Sequence, residues 1–266
     1  MRGRAQCRLF IVLVACISLL QANARPAELV AVRHLEGLSN GFLALRTMEG
    51  KLLADGEITQ VANDDHVTSR VFFRFKDGSM YDDTAVFSQR GSFRLLSDHL
   101  IEKGPSFKHP METTLDASTG QVMIRYTDKD GKEQTINERL DLPADVANGL
   151  LMMLVKHVQP NVPETTVSFV ATTPDPRLVK LVIVPQGKEP FSHGTIKLKA
   201  MHYAVKVKIG GIAGLFAHVV GKQPPDTQIW VLEGDAPAFV KLEGQFYDGG
   251  PIWRVELATP AAFPKG

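Results

Sequence analysis

The sequence predicts an all-β protein, β-rich with one long helix: a curled antiparallel sheet, or incomplete barrel, wrapped on a central helix. Three observations predict it. Runs of β-branched and aromatic residues recur along the chain, separated by Asp-Gly and Gly-Pro punctuation. These runs are short and closely spaced, as in hairpin-linked sheets that curl or close. One stretch, "DLPADVANGLLMMLVKHVQP" (141–160), has helical spacing and an apolar middle instead.

At the N-terminus, Arg2, Arg4 and Arg8 precede the apolar run Leu9–Leu20, and Ala22-Asn23-Ala24 supplies the small residues of a cleavage site. This is the layout of a bacterial secretory signal peptide over 1–24, too short in its apolar run to span a bilayer. A competing site, Leu13-Val14-Ala15-Cys16, has lipoprotein form, but the apolar run continues past it to Leu20. The mature chain is therefore expected to start at Arg25, with lipid anchoring through Cys16 as the minor alternative. Residues 25–34 read as a linker, 35–257 as one β-rich domain and 258–266 as a tail. The protein is expected to be periplasmic or secreted and soluble, with no later transmembrane segment.

Removing the three leader arginines from 30 basic residues leaves 27 against 29 acidic ones, which gives no electrostatic case for nucleic acid. Both cysteines, Cys7 and Cys16, lie in the leader. The mature chain then has no thiol for a disulfide, a zinc-thiolate site or a nucleophile.

Two hairpins have a readable register. In "HVTSRVFFRFKDGSMYDDTAVF" (66–87), a three-residue loop with Gly78 left-handed sets Phe73 opposite Tyr81, Val67 opposite Phe87, and Arg74 opposite Met80 and diagonal to Asp82. "TDKDGKEQT" (127–135) resembles a calcium loop in composition. Aligning Gly131 to the loop's glycine puts Tyr126 and Asn137 where the strongest ligands belong, and starting at Asp128 puts Arg139 there. A turn with loop 129–131 instead sets Asp128 opposite Lys132 and Ile124 opposite Ile136. Further strands are expected at Phe42–Arg46, Leu52–Val61, Ser92–Ile101, Thr166–Thr172, Leu178–Val184, Thr195–Ile209, Thr227–Leu232, Phe239–Phe246 and Ile252–Leu257.

The helix is expected over Asp141–Val158, capped by Asp141 and stopped by Pro160. Val146, Leu150, Met153 and Leu154 share a face, and Leu151, Met152 and Val155 make the middle apolar nearly all round, as in a helix buried on several sides. A second helical segment is expected at Ile212–Val220, where Ile212, Leu215, Phe216 and Val219 fit the spacing.

No catalytic or metal site is expected, and no cofactor. Ser97-Asp98-His99 has triad letters, but on a strand Ser97 and His99 share one face and Asp98 takes the other. The strand is read as solvent-facing. Asp64, Asp65 and His66 lie roughly 23 Å from Asp82 and Asp83 in the hairpin register, at about 3.3 Å per residue. "KGPSFKHP" (103–110) reads as a connection and the helix methionines as core filler.

The segment Gly221–Pro260, with Trp230, Pro237, Val240, Glu243, Trp253 and Glu256 in a strand–acidic turn–strand–strand layout, resembles an uncharacterised exported bacterial domain family of unknown function. That family is distantly similar to the lipoprotein-carrier and lipoprotein-receptor fold. The resemblance implies an incomplete antiparallel barrel over a helix and an apolar cavity, and it assigns no catalytic residue. The functional expectation is a non-enzymatic envelope protein holding an apolar ligand, lipid or acyl chain, against Leu150, Met153, Leu154 and Phe216. An interaction or assembly module for another envelope protein is the alternative, and a hydrolase the third reading.

Overall fold

The computed structural model describes residues 29–172, 175–193, 196–208, 224–235 and 237–258. Among these, the chain forms a single sheet of fourteen strands, antiparallel at every pairing. The N-terminal strands are β1 (Ser39–Thr47), β2 (Leu52–Asn63), β3 (His66–Phe75), β4 (Met80–Ser88), β5 (Arg94–Lys103), β6 (Met111–Asp116), β7 (Gln121–Thr127) and β8 (Glu133–Arg139). After a connection come β9 (Thr165–Ala171), β10 (Arg177–His193), β11 (Ile196–Lys208), β12 (Thr227–Leu232), β13 (Ala238–Gln245) and β14 (Ile252–Ala258). In space the order runs β8 back to β1, then β14 back to β9, so β8 and β9 are the free ends and the sheet does not close. The leader, the Ile212–Val220 segment with Phe216, and the tail from 259 lie outside the described residues.

Period-two alternation builds this sheet. Leu43 and Leu45 of β1, Val67, Phe73 and Phe75 of β3, Phe87 of β4 and Val255 of β14 are buried on one face. That face curves until strands that are not neighbours touch. Phe75 of β3 meets Trp253 of β14 with ring centroids 5.4 Å apart. Two strands lie between them in the sheet order, a flat separation of about 14 Å at the usual strand spacing. Burying those rings against each other is what bends the sheet.

The hairpin registers are as expected: Phe73 pairs with Tyr81, Val67 with Phe87, Arg74 with Met80 and Ile124 with Ile136. Gly78 and Gly131 have φ of 86° and 76°, the left-handed conformation those turns need. One detail differs. Asp82 is held by Arg70, whose two bonds of 2.7 and 2.6 Å form a bidentate pair, and not by Arg74. β6 was not foreseen, because "METTLD" is short and mostly polar.

The long central helix is absent. Of Asp141–Val158, only α1 (Leu151–Leu154) is α-helical, followed by a single 3-10 turn over Val155–His157. The cause lies just upstream. Gly149 has φ of 66°, which a right-handed helix cannot contain. Residues 145–148 lie along the free side of β9: Val146 makes a parallel bridge to Ser168, and the Asn148 side chain both donates to and accepts from the Val170 backbone, at 3.0 and 2.8 Å. The segment is apolar because most of its side chains from Asp145 to Val158 are buried, and periodicity alone does not distinguish that from a helix. No barrel is wrapped on it. The β9 edge is thereby covered, while β8 carries Glu133, Glu138 and Arg139, charges that discourage edge pairing.

Candidate functional site

Leu150, Met153 and Leu154 do come together, all at 3% exposure or less and within one continuous core. The space beside them is small. A cavity of about 10 Å³ lies between Val30, Phe93, Val146, Leu150, Leu154 and Val167. Another of about 30 Å³ lies between Ile58, Val71, Gly149, Met152, Met153 and Phe239. Such volumes hold about one water.

The polar motifs noted in the sequence serve the fold. Asp128 accepts the N–H groups of Asp130 and Lys132 and the Gln134 amide, so the calcium-like loop spends its acid on its own turn. The 103–110 loop is fastened by Ser106, which donates to Asp77, and by Phe107, buried against Phe75 and Trp253. The residues carrying the family resemblance are structural. Trp230 stacks on His202 and under Lys241, Glu243 accepts from Arg254, Glu256 pairs with Arg46, and Trp253 is in the core. No family model, curated protein or solved structure matches this chain, so function is argued from its own residues.

Two further buried clusters include acids. The first joins the N-terminal segment to the 3-10 turn. From Leu29 onward, the stretch expected to be a linker contributes Val30 to the core and bridges Ala31 to Ser92. Gln89 clasps the Glu36 backbone, accepting its N–H at 2.8 Å and donating to its carbonyl at 3.0 Å. The Glu36 carboxylate then accepts from Lys156 at 2.6 Å, His157 at 2.9 Å and His34 at 3.2 Å. Burial would raise its pKa, but the His157 hydrogen bond and the Lys156 charge outweigh burial and hold it down at about 2. His157 is itself pushed below its ordinary value, first by burial. It is neutral, accepting the Arg33 N–H at Nδ1 and donating from Nε2, so the ion pair is Lys156 with Glu36.

His34, Glu36 and His157 have ligand atoms within 4.8 Å of one another. They are nonetheless poorly set to hold a metal. The imidazoles are stacked, 3.9 Å apart and 16° from parallel, and one ion cannot lie in both ring planes. His157 Nε2 carries its proton, and the carboxylate already holds an ammonium. The cluster is a structural clasp.

The second cluster is unlike it. Asp83 of β4 pairs across from Leu100, and Asp98 and Glu102 flank Leu100 on β5, so all three acids face inward. The strand bearing Ser97-Asp98-His99 is thus not solvent-facing throughout: Ser97 and His99 point outward, His99 to Glu112 at 2.8 Å, but Asp98 is buried. As carboxylates, Asp83 Oδ1, Asp98 Oδ1 and Glu102 Oε1 lack any hydrogen-bond partner among the described residues, and so does the fully buried Thr113 hydroxyl, which shares the Leu100 row on β6. Burial, then the Asp83 charge, pushes Glu102 up to about 8. Asp98 is raised well above the carboxylate range by burial, then by the Asp83 charge and a hydrogen bond to it, and burial raises Asp83 as well. A protonated Asp98 donates to Asp83 and removes the like-charge conflict.

Part of this was readable. The β3–β4 register puts Asp83 in phase with Tyr81 and Phe87, on the buried face. The partners of Glu36 were not, since His157 lies 121 residues away.

A last feature lies outside the core. Leu35 and Leu38 are 76% and 84% exposed, Val61 is 55% and Phe42 43%. Ser39 pairs with Gln60, which sets Leu38 beside Val61 at that end of the β1–β2 pair.

Proposed function

We propose that this is a non-enzymatic exported protein of the bacterial envelope that acts as an interaction module. Its docking face is the exposed apolar end of the β1–β2 pair where Leu38 stands beside Val61, with Leu35 three residues before Leu38, and its partner is a protein with an apolar ridge of matching size. The observation that carries this reading is the exposure of that apolar end, while the cavities beside Leu150, Met153 and Leu154 among the described residues are only about 10 and 30 Å³. Monomeric surfaces seldom leave adjoining large apolar side chains in water without a use for them. A bound acyl chain needs far more space than a single water, and a hydrolase needs substrate to reach its acids, whereas Asp98 and Glu102 line neither cavity.

A photoreactive residue at position 38, with a second at Glu138 on the β8 edge as control, tests the proposal in the native envelope. One discrete protein adduct from position 38, absent from 138 and lost with Val61→Lys, is the expected result. No discrete adduct at 38, together with saturable binding of a fluorescent fatty-acid analogue, would overturn it in favour of the carrier.

A further inference from the structure

We propose that the inward carboxyl groups of Asp83 and Asp98 form a proton-held latch on the seam between β4–β5 and the Gly149–Leu154 segment, firm while they carry protons and loosened as the pH rises. This goes beyond the docking reading and does not depend on it.

The geometry carries the inference. Gly149 lies so close to the acids that a Cβ built on it would stand 2.5 Å from Asp98 Oδ1, 3.1 Å from Asp83 Oδ1 and 2.7 Å from the Ala85 methyl. The backbone that starts α1 therefore rests directly on the carboxyl groups. On its other side that backbone belongs to β9. Ala147 N–H donates to the Ser168 carbonyl at 3.0 Å, and Asp145 accepts from Ser168 at 2.7 Å and from Lys180 at 3.1 Å. The acids thus face a segment tied firmly to the opposite end of the sheet. Anything that pushes Gly149 off Asp98 parts the two halves of the curl along this line.

No basic side chain among the described residues pairs with the acids. From β4, Tyr81 donates to Asp83 Oδ2 at 3.2 Å. From β6 comes the unpartnered Thr113 hydroxyl, and from the turn after β13 comes Tyr247, raised by its own burial and then by Glu102. Lys156, in the 3-10 turn after α1, is committed to Glu36. His99 and Asp82 act on Asp83 only through their charges, from the outer face. No ion pair among the described residues includes Asp83, Asp98 or Glu102.

The sign follows from linkage. An open seam lets water reach the acids and returns them to ordinary carboxylate behaviour, so the open form gives up protons that the closed form keeps. Asp98, raised well above the carboxylate range by burial and then by the Asp83 charge, and Asp83, raised by burial, therefore favour the closed seam at low pH and the open one as the pH rises above the ordinary aspartate value of 3.8.

Amide hydrogen exchange on the intact protein tests it, with protection factors corrected for the intrinsic pH dependence of exchange. Protection at the Leu150, Met153 and Leu154 amides is expected to fall several-fold per pH unit as the pH rises above 3.8, and to be nearly flat in Asp83→Asn/Asp98→Asn. The infrared C=O stretch of a protonated carboxyl group, sought in the unaltered protein at neutral pH, needs no variant to fold. Protection independent of pH, an unchanged pH dependence in a folded double variant, or no protonated carboxyl signal would each overturn the latch.

Discussion

Glu36 and Glu102 are both glutamates buried within the same curled sheet, and they behave in opposite ways. Glu36 receives an ammonium, two imidazoles and, through its backbone, the Gln89 amide. Glu102 has one oxygen with no partner among the described residues and an acidic neighbour in Asp83. The first is held down at about 2 and the second pushed up to about 8. Burial penalises the charged form of both; the donors around each decide whether the charge survives. The Glu36 clasp therefore ties the N-terminal segment to the 3-10 turn at neutral pH, whereas the inward acids of β4 and β5 hold their seam as neutral groups.

The comparison breaks most readily at Glu36. Glu36→Gln keeps the shape but leaves the Lys156 ammonium buried without a counter-charge, a loss of about 3–5 kcal/mol. Urea denaturation at neutral pH measures it, and a loss under about 1 kcal/mol would mean that the clasp is ornamental.

The pH dependence of stability sharpens the contrast. Glu36 has a depressed folded value, so its contribution is present above pH 4.5 and is lost as the pH falls through about 2. Glu102 has a raised folded value, so stability is full below 4.5 and declines as the pH rises toward about 8. Glu102→Gln should match the wild type at acid pH and gain on it by up to about 1.4 kcal/mol per pH unit across that window. Thermal midpoints measured against pH give the answer, and parallel curves for the two proteins would remove the distinction.

The smallest effect is expected at Thr113. Replacing an unpartnered buried hydroxyl by a methyl group removes an uncompensated desolvation penalty, so Thr113→Val should be neutral or stabilising by about 1 kcal/mol. A loss of that size in chemical denaturation would show that the hydroxyl has a partner, such as an ordered water, and that the acid cluster is better satisfied than its side chains alone suggest.

What the sequence determined by itself is local. Alternation placed most of the strands, and the turns at Gly78 and Gly131 set two registers to the residue, because side-chain period and turn geometry are properties of a few neighbouring residues. The tertiary structure decided the rest. Whether 141–158 became a helix depended on β9, whose free edge offered Val146 and Asn148 better partners than a helix would. Whether a glutamate kept its charge depended on donors brought from far along the chain: Lys156 lies 120 residues from Glu36. No such donor reached Glu102 Oε1. Long-range polar pairing leaves no period in a sequence, since the groups are joined only by the curl of the sheet that buries them.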